Sequence, residues 1–399
     1  MSFRTRLSLL FAALGLILSL TASACTAPQG QAGGVLLIGA IAPLTGPNGT
    51  MGSGAKMGAN LAAKEINASG GVLGKRLEIV FRDDEGNSNK AVQVAQELIS
   101  NLRVRAILGP INTPNALAIA PILNDARTIN LTLSTGTATV DPTKFPYIFR
   151  AQYYARQEAE TMLKYFLDTK GFTRLAILAD STGYGQGGVA ELTAQLKTRG
   201  LTPVAIESYN PGDTDMTGQV ARLINAGAQG ILAWGLGHDL AQAVKALNRL
   251  GSKIPMIGAS GITMVGFRNL GGEAAKDHYG VYVRRFTFVA GQPRDPNASD
   301  FVAKLDREYG TAWDAQTVVS APWYEMVYLY AEAVNRAGTD NPDRVKAELE
   351  KLNGFPSRGI YTTYSFSADN HNGFNGADLT VVYAAREDHG FYERPQDAP

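Results

Sequence analysis

The chain has 399 residues, 37 basic and 36 acidic side chains, a formal net charge of +1 and 45% hydrophobic residues. That balance argues against nucleic acid or an extended acidic partner, and against a disordered chain. The length suits two cores at roughly 100–200 residues each, and the single cysteine, Cys25, leaves no intramolecular disulfide to hold them.

Arg4 and Arg6 precede an apolar run over 7–20, and Ala22, Ser23 and Ala24 lead into Cys25. This is the pattern of a bacterial export signal, and the run is short for a spanning helix. The cysteine after small residues has the form of a lipidation site, although Ala22 stands where leucine is commoner; a free thiol in an ordinary cleaved signal is the alternative. The reading is a lipoprotein signal peptide over 1–25 and a flexible tether over 26–34. Two or more acyl chains on Cys25 would anchor the protein stably, and the tether would hold the fold only about 17 Å from its membrane.

Residues 36–41 form an apolar run of strand length, and the glycine- and proline-rich stretch 43–54 ends it as a loop. From Ser53, a candidate N-cap, the spacing predicts a helix with Gly58, Leu61, Ala62 and Ile66 on one face, stopped by Gly70 and Gly71. Leu77, Ile79 and Phe81 then alternate with Glu78, Val80 and Arg82 as a second strand, parallel to the first because a helical crossover separates them. In such sheets ligands bind beyond the carboxyl ends of the strands, so the 43–54 loop faces a cleft.

Ala91, Val92, Ala95, Leu98 and Ile99 mark the next helix, followed by a strand over 105–109, a helix over 113–126 and a strand over 129–133. This is a Rossmann-like half. A second half follows Arg150: a helix over 154–169, a strand over 175–179, a helix to Arg199, a strand over 203–208 and a helix over 219–225. A strand over 231–234, a helix over 240–250 and a strand over 256–259 complete it. Beyond a strand over 281–284 come helices over 299–309, 321–336 and 342–352, then strands near 361–366 and 379–383. The fold class is α/β, with two Rossmann-like lobes built on parallel sheets.

Several segments invite a chemical reading. Asn112, Thr113 and Asn115 lie where a strand hands over to a helix, with Pro114 at a first helical position, and unpaired backbone donors there favour an anion. Plain capping by Thr113 is the alternative. Gly183, Gly185 and Gly188 satisfy GxGxxG, with Glu207 about where a ribose-binding acid would stand, but Asp180, Ser181 and Thr182 lengthen a turn that is tight in dinucleotide sites. Asp83, Asp84 and Glu85 read as the end of a strand, and Asp213 and Asp215 as caps for the helix near Gln219. The four histidines have no metal-ligand spacing, and no GxSxG, HExxH or P-loop occurs. No metal, cofactor or enzyme activity is expected.

The GAIAPLTGP opening, the KEINASGGVLGKRLEIVFRDDEGN run, the LADSTGYGQGG loop and the late YSFSADNHNG segment together resemble the leucine/isoleucine/valine-binding family of extracytoplasmic solute-binding proteins, over about residues 35–390. The resemblance implies the type I periplasmic-binding-protein architecture. Residues 35–150 with 285–358 would form one lobe, and 151–284 with 359–399 the other lobe and the hinge strands. Three crossings, near Arg150, Tyr282 and Tyr361, would absorb the hinge rotation. It also implies a monomer that delivers a small solute to the permease and ATPase of an ABC importer.

By the same resemblance, Thr113 holds a ligand carboxylate, and Ser134, Thr135, Gly136 and Thr137 supply a second contact. The family usually has a threonine where Gly136 falls, so Thr135 or Thr137 would substitute, or backbone groups would. Tyr184 presents its ring and hydroxyl from the 180–188 loop, and Met51 touches the ligand side chain. Two positions depart from the pattern. Ser260 stands where amino-acid-binding members carry the acid that holds the ligand ammonium, and Gly237 aligns near their usual aromatic. Asp239 or Asp180 could take over the acid's role, although an acid opening a helix is more often a cap. His238 lines the cleft on this reading, and Tyr153, Tyr154 and Trp234 border it as a candidate apolar wall, with ordinary packing as their alternative. Branched-chain amino acids are the family's default ligand; Ser260 favours aromatic or branched acids without an ammonium group, or neutral amides. Sensing of the same solute for a signalling system, and a dinucleotide-dependent enzyme, are the rival functions.

Overall fold

Strands β1 (Val35–Ala42) and β2 (Arg76–Asp83) run parallel and in register from Val35 opposite Arg76 to Ala42 opposite Asp83, joined by helix α1 (Gly49–Ala68). The computed structural model describes residues 33–313, 317–358 and 363–399. The signal segment, Cys25, most of the tether and the crossing placed at Tyr361 lie outside the described residues. Helix α1 starts one turn earlier than the expected Ser53, because its glycines are sites of close approach rather than breaks. A Cβ on Gly52 would lie 2.1 Å from the Pro43 carbonyl oxygen, and one on Gly58 would lie 1.9 Å from that of Ser320. The helix ends where expected: Gly70 and Gly71 take φ of 103° and 78°, a region that favours glycine.

The first sheet continues through α2 (Ser88–Ser100), β3 (Ala106–Leu108), α3 (Thr113–Asp125), β4 (Ile129–Thr132) and β5 (Ile148–Arg150), in the strand order β2-β1-β3-β4-β5. Strand β5 was not anticipated, since three residues carry no readable period. After α4 (Ala155–Leu163) a single π-helical stretch, Lys164–Thr169, carries the chain to β6 (Leu175–Asp180). Helix α5 (Gly183–Thr198), β7 (Ile206–Tyr209), α6 (Thr217–Asn225), β8 (Gly230–Trp234), α7 (Gly237–Arg249), β9 (Met256–Gly258), α8 (Val265–Gly271) and β10 (Tyr279–Val283) follow. The second sheet has the order β14-β10-β9-β8-β6-β7, with β14 (Leu379–Tyr383) as its one antiparallel member, on the edge at β10.

Of the expected strand near 361–366, residues 361 and 362 lie outside the described residues, and residues 363–364 are strand. β13 (Thr363–Tyr364) pairs with β12 (Phe355–Pro356) and Tyr364 bridges to Phe374, while β11 (Thr287–Phe288), β15 (Glu387–Asp388) and β16 (Phe391–Glu393) make a separate small sheet. Helices α9 (Pro296–Tyr309), α10 (Thr317–Ala337) and α11 (Pro342–Leu349) return to the first sheet. There Trp323 stacks on Phe81 with centroids 6.0 Å apart, and the Tyr324 and Tyr328 hydroxyls donate to Glu65 Oε2 at 2.5 and 2.7 Å.

The chain leaves β5 through a fully buried arginine. Arg150 Nη2 donates to the Gly136 carbonyl and to Thr139 Oγ1, both at 2.6 Å, and Nη1 donates to Asn372 Oδ1 at 2.9 Å. Its backbone is clasped by residues 371–373, with its amide donating to the His371 carbonyl at 2.8 Å and its carbonyl accepting from Gly373 at 3.0 Å. Burial pulls the guanidinium pKa down to about 9; the acceptors serve its two Nη atoms, while Nε is buried without a hydrogen-bond partner among the described residues.

Candidate functional site

The carboxyl ends of both sheets open onto one cleft of about 500 Å3. Its volume falls within the roughly 300–1,000 Å3 usual for a small-molecule site.

One wall belongs to the loops after β1, β3 and β4. Met51 enters from α1, beside Asn48; Asn112, Thr113 and Pro114 enter from the start of α3, and Thr135 from the loop after β4. Helix α3 has no side-chain cap and no acid in its first turn. Its amino end therefore presents unopposed amides and partial positive charge. Thr113 is 4% exposed, and its Oγ1 accepts from Ser134 Oγ at 3.1 Å. The Oδ1 atoms of Asn112 and Asn48 are buried without a hydrogen-bond partner among the described residues.

The facing wall comes from the loops after β6, β7, β8 and β9, and it contains Asp180, Thr182, Tyr184, Gly212, His238, Asp239 and Ser260. Asp180 Oδ1 accepts from the Thr182 amide at 2.8 Å, the Thr182 hydroxyl at 2.5 Å and the Gly185 amide at 3.3 Å. Asp239 Oδ1 accepts from the Gly212 amide at 2.9 Å. Burial raises both carboxyl groups above their ordinary pKa, against the pull of these hydrogen bonds. The Ser260 amide donates to Glu158 Oε1 at 2.8 Å; Glu158 is wholly buried, and burial raises its pKa too. Gln152, Tyr153 and Val319 close the back of the cleft.

The expected residues Met51, Asn112, Thr113 and Thr135 thus share one wall, Tyr184, His238 and Ser260 share the other, and Tyr153 stands behind them. Four expected residues are not in the cleft lining. Ser134 sits behind Thr113 as its hydrogen-bond donor. Gly136 makes room for that threonine, since a Cβ there would lie 2.4 Å from Thr113 Cγ2. Thr137 turns away and donates to Glu191 Oε1 at 2.8 Å. Gly237 is spent on packing, because its Cβ would lie 3.0 Å from Phe267.

Trp234, a candidate wall residue, is a core residue with no exposure, and Tyr154, the N-cap of α4, is absent from the lining. Asp239 does not cap its own helix but reaches across to Gly212. Of the two other expected caps, Asp215 accepts from the Thr217 amide at 3.0 Å, at the start of α6, while Asp213 closes a turn on Asn210 at 2.8 Å. Asn48, Gln152, Gly212, Met264 and Val319 also line the cleft, and nothing local in the sequence singles them out.

The GxGxxG match has a packing explanation. A Cβ on Gly185 would lie 2.0 Å from the Asp180 carbonyl oxygen, and one on Gly188 would lie 2.0 Å from the Trp234 ring. The glycines let α5 settle on its own sheet. Glu207 is occupied by Arg222 through contacts of 2.8 and 2.7 Å, which leaves no acid at the ribose position.

A family model described as periplasmic binding protein matches residues 36–387. The Leu/Ile/Val-binding protein homolog 3 of Brucella melitensis is 26% identical over 333 residues, covering 83% of this chain and 87% of that protein. The leucine-, isoleucine-, valine-, threonine- and alanine-binding protein of Pseudomonas aeruginosa is 24% identical, covering 94% of this chain and 95% of that one. Among solved structures, a type 1 periplasmic binding protein from Bordetella pertussis superposes with a TM-score of 0.81 at 29% identity, covering 87% of this chain and 96% of the other. These relatives are named as binding proteins and not as enzymes. The chain belongs to the periplasmic binding protein family, in the type 1 form of its fold.

Proposed function

We propose that this protein is the extracytoplasmic solute-binding component of an ABC importer, capturing a small carboxylate-bearing solute between two lobes that close by hinge rotation. Residues 35–150 with 285–358 form one lobe and 151–284 with 359–399 the other, and the protein acts as a monomer tethered through Cys25. The observation that carries the reading is the amino end of α3, uncapped and with no acid in its own first turn, which brings Thr113 and its neighbouring amides to a cleft where two parallel sheets end. The solute is an amino acid, as the names of the Brucella and Pseudomonas relatives suggest, or an aromatic or branched acid. Thr113 and Thr135 receive the carboxylate, Met51 and Tyr184 the body of the solute.

Closure is favoured by as much as the solute binds the closed form better than the open one. Charge-assisted hydrogen bonds contribute about 1.5–3 kcal/mol each. Thr113→Ala is therefore expected to weaken binding roughly tenfold or more, measured by isothermal titration calorimetry across amino acids, short-chain acids and aromatic carboxylates. An unchanged affinity would remove Thr113 from the site.

A further inference from the structure

We propose that the second wall recognises a positively charged nitrogen, an amine or a guanidine, carried at the end of the solute remote from Thr113. The proposal rests on the reading of the cleft as a solute site and names the chemistry of that solute. Asp180 and Asp239 both line the cleft, at 5% and 3% exposure. Every hydrogen bond described above falls on their Oδ1 atoms; among the described residues, neither Oδ2 accepts one.

An unpartnered hydroxyl marks the same spot. Tyr209, on β7, is 2% exposed, and its hydroxyl has no hydrogen-bond partner among the described residues. A Cβ on Gly235 would lie 1.7 Å from that hydroxyl oxygen and 3.7 Å from Asp180 Oδ2, so the phenol and the carboxylate border the same glycine. No lysine or arginine is found in the described lining of the cleft to neutralise the pair. His238 Nε2, 3.4 Å from Asp239 Oδ1, is the one basic group there. Buried carboxylates with free oxygens call for a partner that brings both charge and N–H donors.

A metal ion suits the site poorly. The pair offers two free oxygens, whereas calcium takes about six to eight oxygen ligands. An ammonium or a guanidinium fork brings both the charge and the N–H donors that carboxylate oxygens accept. The strand order adds direction: Asp180 ends β6 and Asp239 follows β8, the two strands that lie between β7 and β9, and Ser260 follows β9. The cation therefore binds toward the β7 edge.

The test uses the full chain and calorimetry with four probes: pentanoate, 5-aminopentanoate, 4-guanidinobutanoate and L-leucine. The amino and guanidino acids are expected to bind at least about tenfold tighter than pentanoate. Asp180→Asn and Asp239→Asn are each expected to remove that advantage, so that the cationic acids bind no tighter than pentanoate to the same variant. Tyr209→Phe, which keeps the ring packing, is expected to reduce the advantage about threefold. Thr113→Ala, in contrast, lowers affinity for all the acids alike. Pentanoate binding as tightly as the cationic acids, or an advantage that survives both aspartate substitutions, would overturn the proposal. Tight leucine binding with no advantage for the two cationic acids overturns it too, and leaves the reading of the cleft standing. Heat from none of the four probes would overturn the proposal, and the aromatic carboxylates then decide the reading of the cleft.

Discussion

The two walls of the cleft are built alike and charged oppositely. Each sets helix starts at the carboxyl ends of a parallel sheet, where amide donors and the helix dipole favour an anion. On the first wall α3 keeps that character, with no acid in its first turn. On the second, α7 carries Asp239 in its first turn, and Asp180 closes the strand beside it. The acids oppose the positive end of α7 and turn a donor site into an acceptor site. Architecture alone therefore does not decide which end of a solute goes where; the residues at the strand ends do, and on the proposed reading they orient a carboxylate toward Thr113.

The comparison can be broken most severely at Gly136. The absent side chain is what lets Thr113 stand in the cleft, so Gly136→Thr would force the two threonines into one space. Overpacking of this kind costs about 1–3 kcal/mol, and displacing Thr113 removes a contact of about 1.5–3 kcal/mol. Affinity for carboxylate solutes is expected to fall about a hundredfold, with a measurable drop in melting temperature. Binding that survives intact would show that the first wall does not depend on Thr113.

A second test concerns stability in acid. His278 Nδ1 accepts from the Met256 amide at 3.0 Å, at the start of β9 in the second sheet, and burial lowers the imidazole pKa to about 4. A protonated ring cannot accept that hydrogen bond. The folded state favours the neutral form, so the unfolded chain takes up the proton first. The contribution is complete above about pH 6.5 and is lost as pH falls from there toward 4. The expected loss is about 1–3 kcal/mol in urea denaturation at pH 4.5 against pH 7, smaller in His278→Gln. His371, stacked on Phe149 at 3.9 Å and also lowered by burial, accounts for slope that remains. An identical slope in the variant would clear His278 of the effect.

The contrast between the walls was only half legible in the sequence. The β1–α1–β2 unit reads directly because each of its signals is local: apolar runs, a helical period, and paired glycines at the stop. Thr113 reads for the same reason, standing next to Pro114 at a strand–helix junction. Gly136 does not, because its purpose depends on a threonine 23 positions away, brought close only by the neighbouring strands β3 and β4. Asp239 looks like a cap, since sequence shows its place at a helix start but not the Gly212 amide opposite. Trp234 looks like wall material and is core, because the bare Cα of Gly188 covers its ring. Strand β5 and the small sheets of two- and three-residue strands carry no period to detect.

The finest test asks whether the walls communicate. Thr137, from the loop after β4, donates to Glu191 on α5, the helix beside the second wall, at 2.8 Å. Both groups are partly in solvent, so the bond is worth only about 0.5–1 kcal/mol. If hinge opening separates the walls, the bond exists only in the closed form, and its whole worth enters the closing equilibrium. Thr137→Ala is then expected to weaken binding about two- to fivefold. The change should fall on the dissociation rate, since opening must precede release, and stopped-flow displacement of a bound solute would read it. Thr137 touches no part of the described cleft lining, so an effect on affinity without any lost solute contact would tie the contact to closure itself. An unchanged dissociation rate would mean that the bond persists in the open form or contributes nothing, and that the coupling of the two walls runs through other contacts.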